Sequence, residues 1–141
     1  SLAEEAKVYL GVENVWNKFL LSPLEFQCFI DRIGDPYVKV HFDTANVLIS
    51  GYPEQWISIL GERIVNVHAK DFRLAVGNIN GFCIPLEGDV NWPEVMKSLQ
   101  AIGYDDYLIA EVIPPYRHSV EALLANVSFN LDCIINGSKL L

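Results

Sequence analysis

Four short apolar runs recur along the chain: "KVYLGVE", "YVKVHFD", "IVNVHAKD" and "YLIAEVI". Each carries an acid or an imidazole at or near its C-terminal end, where a buried strand would ordinarily close on another Val or Ile. A helix-like segment follows each run. "SPLEFQCFIDRIG" has Ser22 as cap, Pro23 in the first turn, Glu25 to complete a capping box, an apolar stripe of Phe26, Phe29, Ile30 and Ile33, and Gly34 to end it. "PEQWISILGER" is shorter. "NWPEVMKSLQAIG" is capped by Asn91, answered by Glu94 and closed by Gly103. "SVEALLANVSFNLDCIING" runs from Ser119 to Gly137. The leading "SLAEEAK" reads as the tail of a helix. The glycine-rich loop "LAVGNINGFCIPLEGDVN" has room for a small hairpin.

Alternation of strand and helix implies right-handed crossovers and a parallel sheet. Four βα units are too few for a doubly wound sheet with a clear reversal of strand order, and are half the number of an eightfold barrel. The expected fold is therefore α/β, a parallel (β/α) barrel cut to four βα units. Residues 1–141 are expected to form one (β/α)4 half-barrel, a piece of a longer (β/α)8 enzyme. Such a half leaves an apolar interior and two parallel edges to be covered. A homo-oligomer, or a missing N-terminal half-barrel, is the expected partner.

Side chains alternate along each strand. Val38, Val40 and Phe42 share one face of the second run, and Lys39, His41 and Asp43 the other. Val65, Val67 and Ala69 oppose Asn66, His68 and Lys70; Val8, Leu10 and Val12 oppose Tyr9, Gly11 and Glu13; Leu108, Ala110 and Val112 oppose Ile109 and Glu111. The apolar faces suit helices. If the sheet closes, the other faces point inward, and Glu13, Asp43, His68 and Glu111 converge at the C-terminal rim, where barrel active sites lie. A single strand-end carboxylate is ordinarily a solvated loop residue or a helix cap. Three together would repel and raise one another's pKa values unless a cation sat among them. Two Glu, one Asp and one His suit Mn²⁺, Mg²⁺ or Co²⁺, and Zn²⁺ less decisively.

The remaining composition excludes more than it assigns. Eighteen acidic against ten basic residues give a net charge of −8, which argues against a nucleic-acid partner but leaves a small phosphorylated ligand open. No apolar stretch is long enough to span a bilayer, and "SLAEEAK" lacks the basic and apolar regions of a secretory signal, so no membrane association and a cytoplasmic location are expected. Three cysteines without a CxxC spacing are expected to be buried reduced thiols, Cys28 and Cys133 on helices.

The segments "GVENVWNKFLLSP", "VKVHFDTAN", "VNVHAKDF", "PLEGDVNWPEVMKSLQAIGYDDYL" and "IAEV" follow one another over nearly the whole chain. In that order they resemble the second half of the xylose isomerase-like TIM barrels. This is the sugar-phosphate isomerase/epimerase group, which includes hexulose-6-phosphate isomerase, ribulose-5-phosphate 3-epimerase and tagatose or psicose 3-epimerase homologues. "HxKD" followed by "GDVNW" is the most specific part; "DT" and "AEV" are weak alone. The resemblance implies an isomerase or epimerase of carbohydrate metabolism. It implies metal ligands at Glu13, Asp43, His68 and Glu111. Glu13 and Glu111 would double as the catalytic acid/base pair that moves a proton through an enediolate of a sugar or sugar phosphate. Asn46 stands where some epimerases place a substrate-binding His. Lys70, Arg73, His41 and Trp16 are further substrate-binding candidates, with Arg117 and His118 weaker phosphate candidates. Two other readings of these residues are an endonuclease IV-like phosphodiesterase, for which three histidines are few, and a non-catalytic half-barrel acting as an oligomerisation module.

Overall fold

A computed structural model of the chain describes residues 1–112 and 119–137; Arg117 and His118 lie outside the described residues. A short helix α1 (Leu2–Ala6) precedes strand β1 (Leu10–Glu13). Helix α2 (Pro23–Ile33), strand β2 (Val38–Asp43), helix α3 (Pro53–Leu60) and strand β3 (Ile64–Ala69) follow. A two-residue strand β4 (Asp71–Phe72) pairs antiparallel with β5 (Phe82–Cys83). Helix α4 (Trp92–Ala101), strand β6 (Leu108–Ala110) and helix α5 (Val120–Ile135) complete the order. Strands β1, β2, β3 and β6 form one all-parallel sheet in that order, with Glu13 level with His41, Asp43 with His68, and His68 with Ile109. This is a partial (β/α) barrel. Among the described residues β1 and β6 each have one neighbour, so both edges are open.

The helices start and stop where local chemistry says. Ser22 Oγ accepts the Glu25 N–H at 3.2 Å, and Gly34 ends α2 in the left-handed conformation. Glu25 reaches past the cap and takes the Leu21 N–H instead (2.9 Å). Asn91 Oδ1 accepts the Glu94 N–H and Ser119 Oγ that of Ala122. The Glu94 carboxylate pairs with Lys97 rather than closing a box.

The core lies between sheet and helices. Val40, Phe42, Val67 and Ala69 are fully buried beneath Phe26 of α2, Ile57 and Leu60 of α3 and Val95 of α4. Each large apolar side chain buried in this way stabilises the fold by about 1.5–3 kcal/mol. The opposite sheet face differs from the apolar interior expected of an open half. Lys39, His41, Asn66 and His68 lie on it half-buried, and its apolar residue Ile109 is 42 % exposed. Across this face Asn66 Nδ2 lies 3.5 Å from His41 Nδ1, and His68 Nδ1 3.3 Å from Glu13 Oε1.

Two local expectations are corrected. The first strand begins at Leu10, not Lys7, because Lys7 adopts a left-handed conformation (φ 54°) that caps α1; Val8 and Tyr9 are exposed. Cys28 is exposed, since the buried stripe of α2 runs through Phe26 and Ile30, away from it; Cys133 is buried and Cys83 partly so. Among the described residues, no helix is long and apolar enough to cross a membrane.

Candidate metal centre

Four side chains from four successive strand ends meet at the C-terminal rim. One ligand atom from each of Glu13, Asp43, His68 and Glu111 lies within 4.8 Å of the other three. His68 Nδ1 is central: 3.0 Å from Glu111 Oε2, 3.3 Å from Glu13 Oε1 and 3.9 Å from Asp43 Oδ2. The two glutamates thus reach the same imidazole nitrogen from the outer strands, β1 and β6.

Asp43 is fixed through one of its two oxygens. Its Oδ1 accepts the backbone N–H groups of Ala45 (2.9 Å) and Asn46 (2.7 Å), which fixes the carboxylate plane. Its Oδ2 is fully buried, points toward the cluster and has no hydrogen-bond partner among the described residues; Glu111 Oε2 is orphaned likewise. Buried acceptors without partners are costly. A divalent cation between them would satisfy both oxygens, and the donor set of three carboxylates and one imidazole has the hard, oxygen-rich character such a cation takes. The residues therefore fit a divalent metal.

The electrostatics point the same way. Burial pushes the Asp43 carboxyl up to about 7; the Lys70 charge and the Asn46 N–H oppose the rise, and Glu111 adds to it. Burial also acts to raise Glu111, but its close approach to Asp43 and Lys70, with the charges of Lys70 and His68, outweighs it and holds this carboxyl below its ordinary value. Lys70 Nζ stands 3.1 Å from Glu111 Oε1 and 3.6 Å from Asp43 Oδ2, almost fully buried, with the Phe82 ring 4.4 Å beneath it. It pairs with the cluster, not with its neighbour Asp71.

The other candidates divide. His41 lies against the His68 ring (centroids 3.9 Å apart), with Nδ1 3.5 Å from Asn66 Nδ2. Burial, then the His68 charge, lower its pKa, so it stays neutral and sits beside the four-residue group without belonging to it. Asn46 donates from its side chain to the Asn14 carbonyl (2.9 Å), and its own carbonyl accepts Trp16 Nε1–H (2.8 Å). Trp16 packs on Phe72 and Phe82 and is 38 % exposed, giving the rim an aromatic wall near Lys70. Arg73 is bound to Glu87 through both its carbonyl and its carboxylate and is half-exposed.

Three positioning residues escaped the sequence reading. Asn14 Nδ2 donates to the Asp43 carbonyl (2.8 Å) and its Oδ1 accepts the Asp43 N–H (2.9 Å). Thr44 donates its hydroxyl to the Lys70 carbonyl (2.7 Å) and accepts the Lys70 N–H (3.2 Å). Asp71, fully buried, accepts from the N–H groups of Phe72, Leu86 and Val90 and from Trp92 Nε1. Asn14 directly follows Glu13 and Thr44 directly follows Asp43, which is the one signal that could have marked them.

Residues 1–127 match the family model described as xylose isomerase-like TIM barrel. Among curated proteins, D-psicose 3-epimerase of Enterocloster bolteae is 29 % identical over 113 residues, covering 77 % of this chain and 35 % of its own length. Inosose dehydratase of Geobacillus thermodenitrificans is 24 % identical over 139 residues, covering 79 % and 46 %. The chain thus spans between about a third and a half of the curated relatives it matches. Among solved structures, the IolI protein with a bound zinc atom superposes with a TM-score of 0.84 at 14 % identity, over 99 % of this chain and 53 % of that one. A D-tagatose 3-epimerase-like protein superposes with a TM-score of 0.72 at 25 % identity, over 96 % and 51 %.

Proposed function

Because the chain belongs to the xylose isomerase-like TIM-barrel family, we propose that it supplies the metal-binding and proton-transfer half of a sugar or sugar-phosphate isomerase or epimerase. The observation that carries this reading is the meeting of Glu13 and Glu111 at His68 Nδ1, with the orphaned Asp43 oxygen facing the same space. Glu13, Asp43, His68 and Glu111 would hold a divalent cation, whose Lewis acidity would polarise a ketose carbonyl and acidify the neighbouring C–H.

The chain's own groups do the rest. Glu111, held below its ordinary pKa, is ionised near neutrality and can accept the proton from the carbon beside the carbonyl. Glu13, on the far strand of the group, can return a proton from the other side. Return to the same carbon inverts its configuration; return to the former carbonyl carbon completes an isomerisation. Lys70 and Asn46 would hold substrate oxygens, and Trp16 with Phe82 would cover an apolar sugar face and exclude water.

The test uses the intact protein with Mn²⁺, Mg²⁺, Co²⁺ or Zn²⁺ and follows solvent deuterium entering D-psicose and ketose phosphates. Glu111→Gln is expected to slow exchange by about 10²–10⁴-fold, the usual contribution of a positioned base. Exchange that survives this substitution unchanged, or a wild-type protein that takes up no metal, would refute the proposal.

A further inference from the structure

His68 is the group that the three carboxylates share, yet nothing outside that set holds it by a hydrogen bond. Among the described residues, all contacts of its ring at hydrogen-bond or ion-pair distance are made by Nδ1, to Glu13, Asp43 and Glu111. A metal-binding histidine is ordinarily turned and fixed by a partner on its second nitrogen. An imidazole without one has several rotamers open to it, and freedom lost when a cation arrives weakens binding. What lies against this ring instead is a second imidazole. The His41 ring centroid stands 3.9 Å from that of His68, with the two planes at 70°.

His41 is itself clamped. It precedes Asp43 by two positions on β2 and lies level with Asn66, which precedes His68 by two on β3. The pair His41–Asn66 thus forms a layer beneath the pair Asp43–His68, and the His41 ring meets His68 along the diagonal between them. Asn66 Oδ1 accepts the Val67 N–H (3.1 Å), which fixes the amide, and its Nδ2 stands 3.5 Å from His41 Nδ1. From the other side β1 presents Gly11, where a Cβ would fall 2.9 Å from the His41 Cβ. The missing side chain at position 11 is what leaves His41 its place. None of these contacts uses one of the three carboxylates, so a cation entering the cluster leaves them intact.

The geometry points to His41 as a positioning residue of the centre: its ring, fixed between Gly11 and Asn66, braces the His68 imidazole so that Nδ1 stays aimed at the three carboxylates. This inference rests on the metal-centre reading above. It gives His41 no proton to move and no ligand bond to make. The brace is the shape and place of the ring, and its effect is to settle the direction of His68 before a cation binds.

The experiment titrates Mn²⁺ and Co²⁺ into the intact protein and three variants. His41 is half-buried on the polar face of the sheet, away from the core, so His41→Ala is expected to fold. It is expected to bind Mn²⁺ about 10–100-fold more weakly than the wild type, the usual effect of removing the support behind a ligand. The visible absorption of bound Co²⁺, which reports ligand number and geometry, is expected to shift with it. His41→Phe keeps a ring in the same place without either nitrogen and is expected to recover most of the lost affinity. Val40→Ala, in the core on the opposite face of the same strand, is the control for stability alone. It is expected to lower the urea midpoint and to leave Mn²⁺ affinity and the Co²⁺ spectrum as in the wild type. Wild-type affinity in His41→Ala would overturn the inference. So would His41→Phe as weak as His41→Ala, because nitrogen contacts would then carry the effect. Equal weakening by Val40→Ala would overturn it too, since lost stability would suffice. A wild-type protein that takes up neither metal would sink the metal-centre reading along with it.

Discussion

Asn14 is 4 % exposed and spends both ends of its amide on one residue, the backbone of Asp43. Parallel strands that end together leave their last N–H and C=O groups without a ladder partner. Asn14 supplies both partners, so the loop after β1 and the end of β2 are tied at the place where Asp43 must aim. Asn14→Ala is expected to leave the Asp43 N–H and carbonyl unsatisfied. The cost should be about 1–3 kcal/mol, read as a lower urea midpoint at unchanged slope, together with weaker Mn²⁺ uptake. Asparagine after a strand-end acid can be a turn residue, a cap or a surface group. Its partner is 29 positions away, and a local reading of "VEN" has no access to it.

At the scale of elements, the segment from β4 to α4 illustrates how one buried charge replaces regular structure. Asp71 collects four donors, and so fixes Leu86, held at φ 78°, Val90 and the first turn of α4. A left-handed conformation at a leucine costs on the order of 1–3 kcal/mol and persists only where such contacts over-determine it. Gly88 crosses directly over the Asp71 carboxylate. A Cβ there would collide with Asp71 Oδ1 and fall 2.6 Å from the Phe72 nitrogen. Gly88→Ala is therefore expected to destabilise by about 1–3 kcal/mol or more, seen as a fall in Tm. It should also loosen the adjoining Lys70, detectable as reduced metal affinity. The motif "GDVNW" was legible as a family mark in the sequence, but its physical reason, close approach to a buried carboxylate, is tertiary.

The molecule as a whole concentrates its electrostatic tension in one place. Asp43, fully buried, has its carboxyl raised toward about 7, so without metal the fold favours its protonated form. A group raised in the folded state contributes stability in acid, and that contribution is lost as pH rises from the ordinary carboxylate value through about 7. Glu111 acts in the opposite sense: its depressed carboxyl contributes above its ordinary value and loses that contribution in acid. The metal-free protein is expected to lose thermal stability between about pH 5 and pH 8. Mn²⁺ should flatten that slope and, at 100 times its Kd, add about 2.7 kcal/mol. Calorimetry across this range with and without EDTA checks it; a metal-free protein as stable at pH 8 as at pH 5 would contradict the Asp43 assignment.

The sequence alone determined the alternation of strands and capped helices, the parallel sheet, and the four side chains that share a rim. Those follow from periodicities of two and 3.6 residues and from caps, which are local properties of the chain. Tertiary structure decided how those side chains are held. It gave Asp43 one bonded and one orphaned oxygen, set Lys70 beside Glu111 rather than Asp71, turned Arg73 to Glu87, and made Asn14, Thr44 and Asp71 the supports. Each of these depends on which distant backbone groups come within about 3 Å, a distance that is set only when the strands pack.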